Sequence, residues 1–255
     1  MKSDSYTLAP IIERTRVSNL HVQYSEAVMN YLVSFDIDNT LVQSSAGHME
    51  SLIAAIKDIY GLATRIDVIN HHGMTDQEII IKILQAYDVD DEIVRSKLKR
   101  CMDSMQLRYA QILKSENIVI LEGVVKLLTK LDQKGFFLGL VTGNLETIAR
   151  AKLKKIGIND FFKFGGFGSD HVSRTELVKI AIRRAGNQFK LDGNNRMFHL
   201  GDAPQDMRAA REAGVIPIGV TTGIFSAQAL ESAGAYRVVP DLKDAGAILH
   251  LLSGA

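Results

Sequence analysis

A chain of 255 residues, 46% hydrophobic and 23% charged, has the composition of a globular protein with one large domain or two smaller ones. Its 30 Lys and Arg residues against 29 Asp and Glu residues argue against nucleic acid or an anionic membrane as a partner. The single cysteine, Cys101, excludes an internal disulfide, and charges interrupt every apolar run before it reaches membrane-spanning length. The N-terminal sequence also lacks the apolar core of a signal peptide, so we expect a cytoplasmic protein.

The first part of the chain, residues 1–30, shows no pattern from which an element can be assigned, and we leave it as an N-terminal extension. From Tyr31 the pattern becomes clearer. The apolar run Tyr31–Phe35 predicts a buried strand, and it stops abruptly at the polar cluster Asp36–Thr40.

Residues 46–118, called the helical segment below, contain helical patterns and no convincing strand. The predicted helices of this segment are Met49–Tyr60, Thr75–Ala86, Asp91–Leu98 and Met102–Leu113. We interpret the helical segment as a small domain inserted into a core that is formed by residues 31–45 and 119–255.

After the helical segment, short apolar runs alternate with helical patterns. The predicted strands are Phe136–Val141, Met197–Leu200, Ile216–Val220 and Tyr236–Val239, with Phe161–Phe167 as an edge strand. The predicted helices are Val124–Lys134, Leu145–Ile156, Glu176–Ala185 and Asp206–Ala213. This alternation predicts an α/β fold, in which a Rossmann-like parallel sheet is covered by helices on both faces.

Polar side chains follow three of the predicted strands. Asp36 and Asp38 follow the first strand, Thr142 follows the second, and Asp202 and Asp206 follow the third. Because ligands of open parallel sheets bind at the carboxyl ends of the strands, we expect these side chains to meet. Carboxylates that lie so close raise one another's pKa unless a cation neutralises them, and oxygen-only ligands favour Mg²⁺ over zinc or copper. The pattern therefore predicts a magnesium site with room for a substrate phosphate.

A phosphate group at this edge would also need positive charge and hydrogen-bond donors. Arg174 or a neighbouring lysine could supply the charge, and Thr142 with the amides around Gly143 could donate hydrogen bonds. A carboxylate that faces an immobilised phosphate can attack it and form an aspartyl-phosphate. A second carboxylate two residues along can protonate the leaving oxygen and then activate water.

The same residues resemble the motifs of the haloacid dehalogenase superfamily. Phe35-Asp36-Ile37-Asp38-Asn39-Thr40-Leu41 resembles its first motif, Val141-Thr142-Gly143-Asn144 its second, and Gly201-Asp202-Ala203-Pro204-Gln205-Asp206 its fourth. The resemblance implies that Asp36 is the nucleophile and Asp38 the general acid and base. It also implies that Asp36, the Asp38 carbonyl and Asp202 are ligands of Mg²⁺ with Asp206 nearby, and that Thr142, Gly143 and Asn144 bind the phosphoryl group.

The chain departs from the family pattern at two positions. Asn39 stands where the first motif usually has glycine, which the family tolerates. The third motif usually carries a lysine before a helix, whereas this chain has Ser173-Arg174-Thr175. Arg174 is therefore the candidate phosphate ligand, since an arginine neutralises the same charge but cannot copy the compact contact of lysine. Lys179 is a weaker candidate because it falls inside the predicted helix.

The resemblance also implies that the helical segment is a cap that closes over the site and excludes water. Gly73-Met74-Thr75-Asp76 is similar to the substrate-facing loop of phosphoglycolate-phosphatase-like members. Thr75 and the neighbouring His72 are thus weak candidates for substrate contact, and Arg108 is a weak candidate for binding a substrate carboxylate. The expected substrate is a small phosphorylated metabolite such as phosphoglycolate. Oligomeric state stays open.

Related enzymes and one binding module share parts of this pattern with a phosphatase. A dehalogenase of this superfamily lacks the second aspartate, so Asp38 argues against that chemistry, and no lysine signature of a phosphonate-cleaving enzyme is visible. A sugar phosphomutase uses the same two aspartates and stays possible. A non-enzymatic phosphoacceptor module also uses a strand-end aspartate, although its acidic pair lies near the first strand and it has no helical insertion.

Overall fold

The computed structural model describes residues 30–189 and 195–254, so the N-terminal extension lies outside the described residues except for its last residue. In these ranges the chain forms a six-stranded parallel sheet and a separate pair of antiparallel strands, β2 and β3. The strands are β1 Asn30–Phe35, β2 Val42–Ser44, β3 Ile118–Ile120, β4 Phe137–Thr142, β5 Phe164–Phe167, β6 Asn195–Gly201, β7 Ile216–Val220 and β8 Arg237–Val239. The strand order in the large sheet is β5-β4-β1-β6-β7-β8.

The described α-helices connect these strands and form most of the helical segment. They are α1 Gly47–Tyr60, α2 Asp76–Ala86, α3 Asp91–Ile112, α4 Val124–Gln133, α5 Glu146–Lys155, α6 Arg174–Phe189, α7 Pro204–Glu212, α8 Ala227–Ser232 and α9 Ala245–Gly254. One apolar cluster joins the sheet to α4 and α9, and another joins it to α6 and α7. Because alternate residues of a strand point to opposite faces, Leu32 and Val33 of β1 belong to different clusters. The α/β fold with a parallel, helix-covered sheet is thereby confirmed.

Strand β1 lies at the centre of the sheet, between β4 and β6. Phe35, its last residue, is in register with Leu140 of β4 and with Leu200 of β6. The three strands therefore end side by side, and the polar residues that follow them share one edge. This is the point at which the strand order reverses, where α/β sheets bind ligands.

The helical segment builds an apolar cluster from α1, α2 and α3. This cluster also includes Leu145 and Ile148, which lie at the start of α5 in the second part of the core. The paired strands β2 and β3 flank the helical segment on its two sides in the sequence. As a result, the helical segment rests on α5 next to the carboxyl ends of β1 and β4.

The predicted elements differ from the observed ones in a few places. The two helices predicted over Asp91–Leu98 and Met102–Leu113 are one helix, α3, because no glycine or proline interrupts the residues between them. Strands β2 and β3 and helices α8 and α9 were not predicted, since each is short or lacks a clear period. The edge strand predicted over Phe161–Phe167 is β5, which begins at Phe164 after a turn of 3₁₀-helix. Over residues 30–189 and 195–254, every helix is too short or too polar to span a bilayer.

Candidate active site

The loop after β1 presents the first candidate residues. Asp36 is buried and directly follows the strand. Asn39, three residues on, has φ of 60°, in the left-handed region that glycine adopts most readily. Asparagine tolerates this region better than other residues with a Cβ, which explains why it can stand at this position. The backbone amide of Asn39 donates to the Val42 carbonyl and closes the turn.

Three buried carboxylates meet at the sheet edge. One oxygen each of Asp36, Asp202 and Asp206 lies within 4.8 Å of the others. Burial raises the pKa of Asp36 well above its usual value, and the charges of Asp206 and Asp202 raise it further. Burial and the charge of Asp206 raise the pKa of Asp202 to about 7. Without a cation, this cluster therefore opposes its own ionisation.

Asp206 is held differently from the other two carboxylates. Its Oδ2 accepts a hydrogen bond from the Ala203 amide at 3.1 Å, and its Oδ1 lies 3.3 Å from His199 Nε2. Although burial acts in the opposite direction, the charge of Arg174 lowers the pKa of Asp206. Asp206 thus closes the turn at the start of α7, which leaves Asp36 and Asp202 as the carboxylates with free oxygens. A divalent cation that prefers oxygen would fit between them.

Arg174 is the cation that the structure brings to this cluster. It is the first residue of α6, and its Nη2 donates to Asp36 Oδ1 at 2.9 Å. Nη1 donates to the Gly73 carbonyl at 3.0 Å, and Nε lies 3.1 Å from Asp206 Oδ1 without hydrogen-bond geometry. Lys179, the weaker candidate, instead pairs with Glu176 on the exposed side of the same helix.

Asp38 faces away from the three carboxylates, toward α5. Lys152 Nζ donates to both of its oxygens at 2.8 and 2.9 Å, and Asn144 Nδ2 donates at 2.8 Å. Ser44 Oγ donates to the same carboxylate at 3.1 Å. Burial acts in the opposite direction, yet the charge of Lys152 holds the pKa of Asp38 well below its usual value. In this conformation Asp38 is ionised and could accept a proton.

Lys152 continues into a buried chain of hydrogen bonds that reaches the helical segment. Its Nζ also lies 3.1 Å from His48 Nδ1, and His48 Nε2 lies 3.1 Å from Asp76 Oδ2. Because an ammonium group can only donate, Nδ1 accepts and Nε2 carries the proton that Asp76 accepts. Asp76 also accepts a hydrogen bond from the Leu145 amide at 2.8 Å. Sequence reasoning did not identify Lys152 or His48 as site residues, and it named Asp76 only as the last residue of the substrate-facing loop that begins at Gly73.

These groups line a cavity of about 300 Å³ between the sheet edge and the helical segment. Its lining residues are Asp36, Asp38, Asn39, Ser44, Ser45, His48, Met49, His71, His72, Gly73, Met74, Asp76, Ile79, Gly143, Asn144, Arg174, Asp202, Ala203, Ile224 and Phe225. At Gly143 a Cβ atom would overlap the Met74 carbonyl oxygen, so glycine permits the helical segment to approach here. The amide of Asp76 donates to the Gly143 carbonyl at 2.8 Å.

Not every residue that the sequence predicted for the site reaches the cavity. Thr142 is fully buried behind it, where its Oγ1 accepts hydrogen bonds from the amide and the side chain of Asn144. Thr75 is also buried, because its hydroxyl caps α2 and donates to the Val172 carbonyl. Arg108 pairs with Asp58 on the surface of the helical segment. His72 does line the cavity.

Comparison with known proteins identifies the family. The model of the haloacid dehalogenase-like hydrolases matches residues 33–220, which is most of the chain. The chain belongs to this family. The matched range includes all the strand-end residues described above.

Two curated relatives cover most of the chain. A protein of Dickeya dadantii named "Probable phosphatase IndB" is 27% identical over 229 residues, which are 88% of this chain and 95% of that protein. A phosphoglycolate phosphatase of Pseudomonas putida is 24% identical over 217 residues, with 83% of this chain and 77% of that protein covered.

Two solved structures show the same fold as this haloacid dehalogenase-like hydrolase. A hydrolase from Pseudomonas syringae superposes with a TM-score of 0.64 at 24% identity, covering 88% of this chain and 99% of its own. A protein of Bacteroides vulgatus titled "Putative beta-phosphoglucomutase" also has a TM-score of 0.64, at 20% identity, with 90% and 91% covered. At these identities the likeness concerns the fold alone.

Proposed function

We propose that this chain is a Mg²⁺-dependent phosphatase that hydrolyses small phosphate monoesters through an aspartyl-phosphate on Asp36. The observation that supports this most is the position of Asp36. Its carboxylate lines the cavity, lies within reach of Asp202, and accepts a hydrogen bond from Arg174. The relatives named as phosphatases favour the same reaction. A cytoplasmic location stays a prediction from the composition.

The first step would transfer the phosphoryl group to the protein. One Asp36 oxygen attacks phosphorus while the bond from phosphorus to the ester oxygen breaks, and the alcohol leaves after it has taken a proton from Asp38. Asp36 must be ionised to attack, and Arg174 favours that ionised form. A magnesium ion bound by Asp36, the Asp38 carbonyl and Asp202 would neutralise the phosphate and the carboxylates.

The second step would return Asp36 to its carboxylate form. A water molecule attacks the phosphorus of the aspartyl-phosphate, Asp38 takes a proton from this water, and inorganic phosphate leaves. In the conformation described, Lys152 and Asn144 hold Asp38 in the ionised form that this second step requires, and Asp38 must take up a proton before it can act as the acid of the first step. Arg174 and the amides around Gly143 would contact the phosphoryl oxygens in both steps.

The name of the Pseudomonas putida relative suggests phosphoglycolate as a substrate, so it is a first compound to assay. A sugar phosphomutase would use the same two aspartates, and one structural neighbour carries that name in its title. The two reactions differ in the fate of the phosphoryl group, since only a phosphatase releases inorganic phosphate to water. Measuring released phosphate therefore separates them.

The metal requirement is the direct test of this proposal. We expect phosphate release from a panel of small phosphate esters to require Mg²⁺ and to stop when EDTA is in excess. Asp202→Ala should lower kcat/KM at least about a hundredfold, because the proposed magnesium site would lose one of its carboxylate ligands. Asp132→Ala, which removes an exposed carboxylate of α4, is the matched control and should have no effect. Full activity in EDTA, or of Asp202→Ala, would contradict the proposal.

A further inference from the structure

Besides the polar groups of the proposed reaction, the cavity is also lined by apolar side chains that this reaction does not use. They are called the apolar wall below. Met49 of α1, Ile79 of α2 and Met74 in the loop before α2 come from the helical segment. Ile224 and Phe225 come from the loop after β7. Ile224 is 65% exposed, which is a large apolar surface for an isoleucine at the edge of a cavity. This wall offers apolar contacts to the organic part of a bound ester.

Aromatic rings occupy the same side of the cavity. The rings of His71 and His72 are stacked with centroids 4.6 Å apart, and Phe225 meets His72 edge-on at 6.5 Å. Burial, and then the neighbouring His72, lower the pKa of His71, which favours its uncharged form. The backbone of this loop is anchored, because Gln205 Nε2 donates to the His72 carbonyl and Arg174 donates to that of Gly73. The rings therefore lie on an anchored loop and present a surface on which a flat group can stack.

Positive charge is scarce in the cavity. Among the described residues that line it, Arg174 is the sole guanidinium or ammonium group, and Asp36, Asp206 and the Gly73 carbonyl surround its nitrogens. Four carboxylates line the cavity, those of Asp36, Asp38, Asp76 and Asp202. A second anionic group on the substrate would therefore find no further guanidinium or ammonium group among these lining residues.

Two other cations of the described chain, Lys152 and Arg108, are already paired. Lys152 is fully buried with its ammonium group bonded to Asp38, Asn144 and His48. Arg108, which the sequence suggested as a carboxylate ligand, pairs with Asp58 away from the cavity. Neither side chain is placed to bind a carboxylate of the substrate.

We propose that the substrate of this site carries an uncharged aromatic group, rather than a carboxylate, on the alcohol side of its phosphate ester. This inference rests on the proposed phosphatase function and narrows its substrate class. The phosphate would lie at Asp36 and Arg174, and the aromatic group would lie against His72 and Phe225. Phosphoglycolate would then be a poor substrate, because its carboxylate finds no cation on the apolar wall.

Three alkyl phosphates test the inference, because in each of them the bond that breaks joins phosphorus to the oxygen of a primary alcohol. They are benzyl phosphate, 2-hydroxyethyl phosphate and phosphoglycolate, which carry an aromatic, a neutral polar and an anionic group. We expect kcat/KM to fall in that order, with at least about a tenfold difference between the first and the last. A preference for phosphoglycolate, or equal values for all three esters, would overturn the inference.

Two alanine variants test whether the preference for an aromatic ester arises at Phe225. Phe225→Ala should lower the ratio of kcat/KM for benzyl phosphate over 2-hydroxyethyl phosphate by about three- to tenfold. Leu107→Ala removes another exposed apolar side chain, from α3 outside the cavity lining, and should leave that ratio unchanged. An unchanged ratio in Phe225→Ala would contradict stacking at the apolar wall.

Binding of non-hydrolysable analogues separates this inference from the proposed function. Calorimetry of the intact protein in Mg²⁺ should show at least about tenfold tighter binding of phenethylphosphonate than of 3-phosphonopropionate. Tighter or equal binding of 3-phosphonopropionate would overturn the inference, even if esters are hydrolysed. If no ester is hydrolysed while phenethylphosphonate is preferred, the proposed reaction fails and the selectivity of the cavity stands.

Discussion

Asp38 accepts hydrogen bonds from three elements, namely Ser44 of β2, Asn144 in the loop after β4 and Lys152 of α5. A carboxylate held in this way has a fixed direction, and these partners favour its ionised form. In the proposed reaction it must donate a proton in one step and accept one in the next. The demands of the two steps can be separated by the choice of leaving group.

Asp38→Ala should slow the attack on an alkyl phosphate severely and the attack on p-nitrophenyl phosphate less, because the activated alcohol leaves without a proton. General acid–base groups contribute about a hundred- to ten-thousandfold, which sets the expected loss for the alkyl ester. Hydrolysis of the phosphoenzyme should be slowed with either substrate, so it should accumulate with p-nitrophenyl phosphate. Rapid-quench kinetics measure both steps, and equal losses in the attack step with unchanged water attack would exclude the acid–base role.

Lys152→Met should both destabilise the fold and lower kcat. The change leaves His48 and the Asp38 carboxylate without their shared donor, and a buried charge pair that loses one partner costs up to about 3–5 kcal/mol. Since the Asp38 side chain is one-third exposed, we expect about 1–3 kcal/mol in denaturant unfolding. Lys179→Met removes an exposed lysine that pairs with Glu176 and should cost less than about 0.5 kcal/mol. Equal stability of the two variants would show that the buried network contributes nothing.

Residues next to the strands could be predicted from the sequence, whereas Lys152 could not. Asp36 and Asp202 are polar residues that abruptly follow apolar runs, and this local contrast predicts their position at the sheet edge. Lys152 lies in Lys152-Leu-Lys-Lys155, which is typical of an exposed helix face. Its partner Asp38 is 114 residues away, and nothing in the local pattern indicates that contact. Basic and apolar residues alternate in α5, and both Lys152 and its neighbour Leu153 are buried. The alternation is therefore only a weak indication of which basic residue is buried.

At the scale of elements, the loop before α2 and the loop after β4 are packed backbone against backbone. The Asp76 amide donates to the Gly143 carbonyl, and the Asp76 carboxylate accepts from the Leu145 amide. Thr75, which was predicted to contact the substrate, instead caps α2 and fixes this loop. The position of the helical segment over the cavity thus depends on close contacts at Gly143.

Gly143→Ala should displace the helical segment from the site. The added Cβ would overlap the Met74 carbonyl and lie 3.0 Å from Thr75 Cα, and backbone atoms cannot give way as a flexible side chain can. We expect a loss of about 1–3 kcal/mol in the free energy of unfolding and a clear fall in kcat/KM. Gly186→Ala is the control, since its Cβ meets no atom within 4 Å inside α6, and alanine should stabilise that helix by about 0.5–1 kcal/mol. Wild-type activity of Gly143→Ala would contradict the tight approach described.

The limits of prediction at this scale are visible in α3. Its residues Val94, Cys101, Met105 and Tyr109 are buried, so two turns of the helix pass between the first and the second. That gap made the apolar pattern appear to belong to two helices. The chain stays helical because the charged residues between them are good helix formers and no breaker is present.

At the scale of the whole molecule, α5 joins the two parts of the structure. Leu145 and Ile148 at its start pack into the apolar cluster of the helical segment, and Lys152 one turn further bonds to Asp38 and His48. The order of strands and helices along the core could be predicted, because each element carries its own periodicity. The docking of the helical segment could not, because it depends on contacts between residues far apart in the chain.

The central claim is that Asp36 carries the phosphoryl group during turnover. Acid quench of the working enzyme, followed by borohydride reduction, converts an aspartyl-phosphate into homoserine, which peptide mass spectrometry can locate. We predict homoserine at position 36 when both a phosphate ester and Mg²⁺ are present, none without the ester, and neither turnover nor homoserine in Asp36→Asn. Steady turnover with no modification at Asp36, or turnover by Asp36→Asn purified free of host phosphatases, would contradict the account.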